Sequence, residues 1–141
     1  MAECGFIGCS PDGIVFDSAE GEGLLEVKCP YSARDMDVET GCLMLDNFCA
    51  SLSPGGTPTL KRNHDYYFQI QGSLGILGLQ WCDFVLWAPK DMSIERIRFD
   101  PQLWESFIQP KLHQFFSSYV LPELVLLVYP HGKIVARRML F

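Results

Sequence analysis

The chain has 141 residues, 48% of them apolar and 20% charged, with ten Phe, five Tyr and three Trp. That is enough to bury one core, and it excludes a disordered tail, a collagen-like repeat and a low-complexity linker. Seventeen acidic against eleven basic residues give a net charge of −6, which argues against a protein that coats duplex DNA nonspecifically. The imbalance is uneven. Residues 1–60 hold ten carboxylates with only Lys28 and Arg34, and residues 61–141 hold nine basic and seven acidic groups. The six cysteines form no C-x-x-C, no His pair has zinc spacing, and Glu3 stands where a secretory leader would be basic. The expectation is a soluble intracellular protein with free thiols packed as small apolar groups and no membrane span.

In chain order, Gly5–Ser10 reads as a strand, followed by a turn at Pro11-Asp12-Gly13 in which Pro presets the dihedral. Ile14–Asp17 is a second strand and Ser18–Gly23 a loop. Leu24–Cys29 is a third strand, stopped by Pro30, so the three form an antiparallel meander. Ser32 with Asp35 marks a helix N-terminus, and Ser51–Pro58 is a loop. From Asp65 to about Gln80, Tyr66, Ile70, Leu74 and Leu77 recur at helical spacing. Gly72, Gly75 and Gly78 then let that helix lie close against a sheet. Asp83–Trp87 and Ser93–Phe99 are strands around a turn at Ala88–Asp91. Asp100-Pro101 is a helix start. The stripe Trp104, Phe107, Ile108, Leu112, Phe115 and Tyr119 continues the helix, with a kink at Pro110. After Pro122 two short strands are expected about Pro130-His131-Gly132. The sum is a mixed α/β fold, a central mixed sheet flanked by helices.

Alternation in Leu24–Cys29 puts Glu26 and Lys28 on one side of the strand and sends Leu25 and Val27 the other way, into a core. In a meander, Asp12 comes close enough to meet Glu26. Two carboxylates in contact repel unless a hard divalent cation joins them. Mg²⁺ suits the pair, because it keeps several waters and takes one or two carboxylates plus phosphate oxygens. Lys28 would orient a nucleophilic water and stabilise developing charge. The plainer alternative is a same-face ion pair beside a common Pro-Asp-Gly turn.

The segments Gly8-Cys9-Ser10-Pro11-Asp12-Gly13 and Leu24-Leu25-Glu26-Val27-Lys28-Cys29-Pro30-Tyr31-Ser32 together resemble the PD-(D/E)XK nuclease core. More narrowly, they resemble the YqaJ-type viral recombinase family, relatives of the lambda-type phage exonuclease. His64-Asp65-Tyr66-Tyr67-Phe68-Gln69-Ile70-Gln71-Gly72, Trp81-Cys82-Asp83-Phe84-Val85 and Leu121-Pro122-Glu123-Leu124 extend the likeness. It divides the chain into a core at residues 1–124 and an unmatched extension at 125–141. The resemblance leads one to expect a helical region upstream of the first strand; with Met1 only eleven residues before Asp12, a core without it is expected, which would leave sheet surface for a homo-oligomer or a covering partner.

The resemblance implies an exonuclease that degrades duplex DNA from an end with Mg²⁺, for which Mn²⁺ would substitute. Asp12 and Glu26 would be metal ligands with the Val27 carbonyl, Lys28 would serve the attacking water, and Gln69 would support Lys28 or the nucleophile. Ser10, Arg34, Tyr67 and Gln71 are candidate DNA contacts. For Tyr67 a place in the core, for Arg34 a solvated surface and for Gln71 an ordinary polar helix position are the alternatives. His64 is either a phosphate contact or a helix cap, and Arg96 with Arg98 either a phosphate stripe or the outer face of a sheet. Cys29 is expected to pack. The competing function is a catalytically inactive remnant of the nuclease fold that binds DNA or protein. A third reading drops the family for a small interaction domain.

Overall fold

The computed structural model describes residues 5–128, and the first strands it contains are β1 (Gly13–Asp17) and β2 (Gly21–Lys28). Their hairpin turn is built by Asp17, whose Oδ1 accepts from the Ala19 and Glu20 amides at 2.8 and 3.2 Å. Gly21 follows at φ 75°, a conformation open to glycine. No strand precedes β1 among the described residues: residues 5–10 run across the helices instead. Phe6 stacks on Phe116 with ring centroids 4.0 Å apart, and the Cys9 thiol donates to the Ser73 carbonyl at 4.0 Å. The expected three-stranded meander is therefore a two-stranded hairpin.

The second edge of β2 pairs in parallel with β5 (Trp81–Ala88), and β6 (Asp91–Arg98) closes the sheet antiparallel to β5. The order is β1-β2-β5-β6, a mixed sheet. Between β2 and β5 lie a 3-10 turn at Tyr31–Ala33, α1 (Val38–Met44), the hairpin β3 (Ala50–Leu52) with β4 (Pro58–Leu60), and α2 (Asp65–Leu77). Two expectations change here. The helix start placed at Ser32 belongs five residues later to Asp37, whose carboxylate accepts the Thr40 amide at 2.7 Å. The loop expected over Ser51–Pro58 shrinks to five residues between two short strands.

One face of the sheet carries Leu24, Glu26 and Lys28 of β2 with Cys82, Phe84 and Leu86 of β5, as the register requires. Ile70 and Leu74 of α2 pack onto it, joined by Val38 of α1 and by Phe48, Ala50 and Leu60, and this is the core. The expected sidedness of β2 is thus reversed. Leu24 and Glu26 face inward and Leu25 and Val27 are half-exposed, because α1 and α2 both lie on the Glu26 side.

On the opposite face Trp81 is only 1% exposed. Its ring lies against Gly23, where any Cβ would overlap it, and under the Arg96 guanidinium at 3.8 Å. Cys49 and Cys82 are buried, and burial pushes their thiols up to about 11 and about 12, so both are poor nucleophiles. Cys29, expected to pack, is exposed.

The α2 helix is capped by His64, whose Nδ1 accepts the Tyr66 amide at 3.2 Å, and ends at Gly78 in the left-handed region. Its glycines serve a helix rather than the sheet. A Cβ at Gly75 would overlap Trp104, and one at Gly72 would touch Ile108 at 3.9 Å. Trp104 and Ile108 belong to α3, helical over 101–128 with π turns at Trp104–Ile108 and Phe116–Val120. Asp100 caps it by accepting the Leu103 amide at 2.9 Å, with Pro101 next. The first π turn lies directly ahead of Pro110, and the helix continues through that proline. Residues 121–128, expected to turn toward strands, remain helical, and Pro130-His131-Gly132 lies outside the described residues. No described helix is long and apolar enough to cross a membrane.

Candidate functional site

The site forms where β1 ends and β2 runs on past it. Gly13 pairs with Leu25, so Asp12 falls beside Glu26 on the α2 side of the sheet. Asp12 Oδ2 accepts the Val27 amide at 2.7 Å, which places its carboxylate at the open edge of β2. An extended residue sends its N–H and C=O the same way, so the Val27 carbonyl also faces this edge.

Glu26 is only 4% exposed and is held from two directions. The Lys28 ammonium, two residues along the same face, donates to Oε1 at 2.5 Å. Gln69 Nε2, from the middle of α2, donates to the same oxygen at 2.8 Å. Tyr66, one turn earlier on α2, sets its ring 4.9 Å from Lys28 Nζ. Buried carboxylates are retained when paired and hydrogen-bonded, and Glu26 is both. Asp12 Oδ1 and Glu26 Oε2 have no hydrogen-bond partner among the described residues and are the acceptors left for a ligand.

The structure therefore brings Asp12, Glu26, Val27, Lys28 and Gln69 together. The sequence places Tyr66 only on the apolar stripe of α2, and its place under Lys28 went unread. Its i, i+3 spacing to Gln69 is the signal that both reach toward β2.

The other candidates are scattered. Ser10 is exposed on the segment leading to Asp12. Arg34 is exposed, stacked 4.3 Å over Tyr31 and 3.3 Å from Asp35. Tyr67 is packed against the core with Arg62 over its ring and is 9% exposed, away from Asp12 and Glu26. Gln71 is 0% exposed, with Nε2 donating to the Arg98 carbonyl and Oε1 accepting the Asp100 amide, both at 2.8 Å. It bolts α2 to the end of β6 and is closed to DNA. Arg96 and Arg98 lie on the far face. Arg96 is bidentate to Asp83 at 2.8 and 2.9 Å and also bonds Asp17 and Glu20, and Arg98 bonds Glu20. Their guanidiniums already serve carboxylates.

The donors suit a hard cation in type, being oxygens only, and they are few. No group of three or more His, Cys, Asp or Glu that could hold a metal occurs among the described residues. Two carboxylates and a carbonyl match the sparse protein shell that Mg²⁺ accepts, since it keeps much of its water.

In comparison with known proteins, a family model, the YqaJ-like viral recombinase domain, matches residues 2–80. No curated protein and no solved structure matches the chain. The match takes in β1, β2 and α2, every element that contributes to the site, and more than half of the sequence, so the chain belongs to the YqaJ-like viral recombinase domain family.

Proposed function

We propose that the sheet and its two helices are a PD-(D/E)XK nuclease core and that the chain hydrolyses DNA phosphodiester bonds as a metal-dependent exonuclease. The observation that carries this reading is the convergence of Asp12, Glu26 and Lys28 on one face at the open edge of β2, with Gln69 donating to Glu26. A Mg²⁺ ion, or Mn²⁺ in its place, would be held by Asp12, Glu26 and the Val27 carbonyl, and would activate water and offset phosphate charge.

The protein's own groups divide the remaining work. Gln69 and Lys28 both grip Oε1 of Glu26, which fixes the carboxylate and leaves Oε2 open. Tyr66 and Glu26 confine the Lys28 ammonium beside the carboxylates, where it orients the attacking water and stabilises charge on the phosphoryl oxygens. Linear duplex DNA, entered from an end, is the substrate this reading assigns. Arg34 and Ser10, both exposed, are the DNA contacts it retains.

The test is degradation of end-labelled linear duplex by the purified chain with Mg²⁺, with Mn²⁺ and with chelator, beside Lys28→Ala. Metal-dependent loss of label is expected, with the variant at least ~10²-fold slower. Metal binding by titration calorimetry without turnover would instead assign a non-catalytic member of the family that binds DNA or protein. Neither binding nor turnover would remove the site altogether.

A further inference from the structure

The α3 helix is 28 residues long, about 42 Å at 1.5 Å per residue, yet only its first turns are buried, at Trp104 and Ile108. Beyond them one exposed row runs at steps of four: Phe107, Lys111, Phe115, Tyr119 and Glu123. Two contacts hold the row together, the Lys111 ammonium 4.8 Å over the Phe107 ring and the Phe115 and Tyr119 rings stacked at 5.8 Å. The three rings are 43%, 56% and 65% exposed, and Leu126 continues the apolar surface. Neither Lys111 nor Glu123 has an ion-pair partner among the described residues.

The row is complementary to itself when reversed. About a two-fold axis at the level of Ser117, each residue of the row faces the one equally far on the other side. Phe115 then meets Tyr119 of a second copy, and Lys111 meets its Glu123. The second copy's Tyr119 and Leu126 come over a groove of about 490 Å³ lined by Phe68, Ile76, Phe107, Leu112 and Phe115. With rings of roughly 150–250 Å² each and the stems of Lys111, Glu123 and Leu126, the row offers on the order of 600 Å² per copy. That is the lower end of a specific interface.

We propose that the exposed row of α3 from Phe107 to Leu126 is a self-association surface. It pairs two copies of the chain antiparallel about Ser117, with reciprocal Lys111–Glu123 ion pairs at the ends of an aromatic strip. The interface is isologous, so each contact occurs twice.

Sedimentation velocity of the whole chain at up to about 100 μM tests it, since an interface of this size associates in the micromolar range. A reversible monomer–dimer equilibrium is expected. Lys111→Glu sets two carboxylates opposite each other twice and shifts the midpoint at least ~10-fold toward monomer, and Glu123→Lys does the same with ammoniums. The double exchange restores the pairs and recovers the dimer. Both positions of change are exposed, and circular dichroism of each of the three variants checks the fold. A chain monomeric throughout that range overturns the proposal. So does a dimer or aggregate indifferent to both single exchanges, or a double exchange that fails to recover association.

Discussion

Gln69 and Lys28 converge on a single oxygen of Glu26, and that asymmetry decides what each side chain does. A carboxylate gripped at Oε1 and open at Oε2 is aimed, and its aim depends on the neutral amide as much as on the charged amine. Gln69→Ala removes the donor that comes from α2 and leaves the strand-borne Lys28 pair intact. Groups that orient a metal ligand typically contribute ~10–100-fold in affinity or rate. The variant is expected to lose that much in Mn²⁺ affinity, measured by titration calorimetry, and Gln69→Glu to lose more by placing a second carboxylate on Glu26. Unchanged metal affinity in Gln69→Ala would show that Lys28 alone sets the orientation. The Glu-x-Lys spacing and the Pro-Asp-Gly turn were legible in the sequence because both are local. The burial of Glu26 was not: alternation alone puts a glutamate on the wet side. Leu24 and Leu25 are equally apolar, so the strand carries no local mark of which face the helices cover.

At the scale of elements, three of the junctions that position the site are made by polar side chains acting on backbone. Asp91 accepts the Val38 amide at 2.8 Å and ties α1 to the start of β6. Glu95 accepts the Leu60 amide at 2.7 Å and bonds Arg62 at 2.8 Å, docking the β3–β4 hairpin on β6. Gln71 spans α2 and the β6–α3 junction. Gln71→Leu keeps its volume but leaves the part-buried Arg98 carbonyl and Asp100 amide without their partner. At about 1–3 kcal/mol for each buried group left unsatisfied, the two part-buried groups together are expected to cost roughly 2–3 kcal/mol, read from urea unfolding. A change below 1 kcal/mol would mean that water or the backbone replaces the amide. Such long-range brackets leave no trace in composition or spacing. The helix caps at His64 and Asp100, the β5–β6 hairpin and the α2 period were all readable, because each is fixed within a few residues. The parallel β2–β5 pairing was not, since the residues it joins are more than fifty positions apart. Nor was the segment before Asp12, whose Phe6 is drawn to a ring on α3 that no local pattern foreshadows.

Across the whole molecule, the strongly acidic first third finds its counterweight on the far face of the sheet. Arg96 gathers Asp17 and Glu20 from the β1–β2 turn and Asp83 from β5, and covers Trp81. One guanidinium thus clamps the hairpin that carries Asp12 and Glu26 to the other half of the sheet. The clamp has a defined pH dependence. The Arg96 bond, helped by the Ala19 amide, holds the Asp17 carboxyl below its ordinary value of 3.8. The Arg98 bond, with Arg96 behind it, holds Glu20 below 4.5. Carboxyls lowered on folding add stability above their unfolded pKa values, and that contribution is lost as pH falls through the lower folded ones. Both groups are partly exposed, so salt screens the effect. The melting temperature should therefore hold from neutral pH down to about pH 4.5 and fall below it, more gently at high salt. Arg96→Met retains a stem over Trp81 while releasing Asp17 and Asp83. It is expected to melt lower at neutral pH and to lose less on acidification, with a residual slope because Arg98 still lowers Glu20. Parallel melting curves for the two proteins from about pH 7 to about pH 3 would show that the clamp carries no linked protons and that acid acts elsewhere.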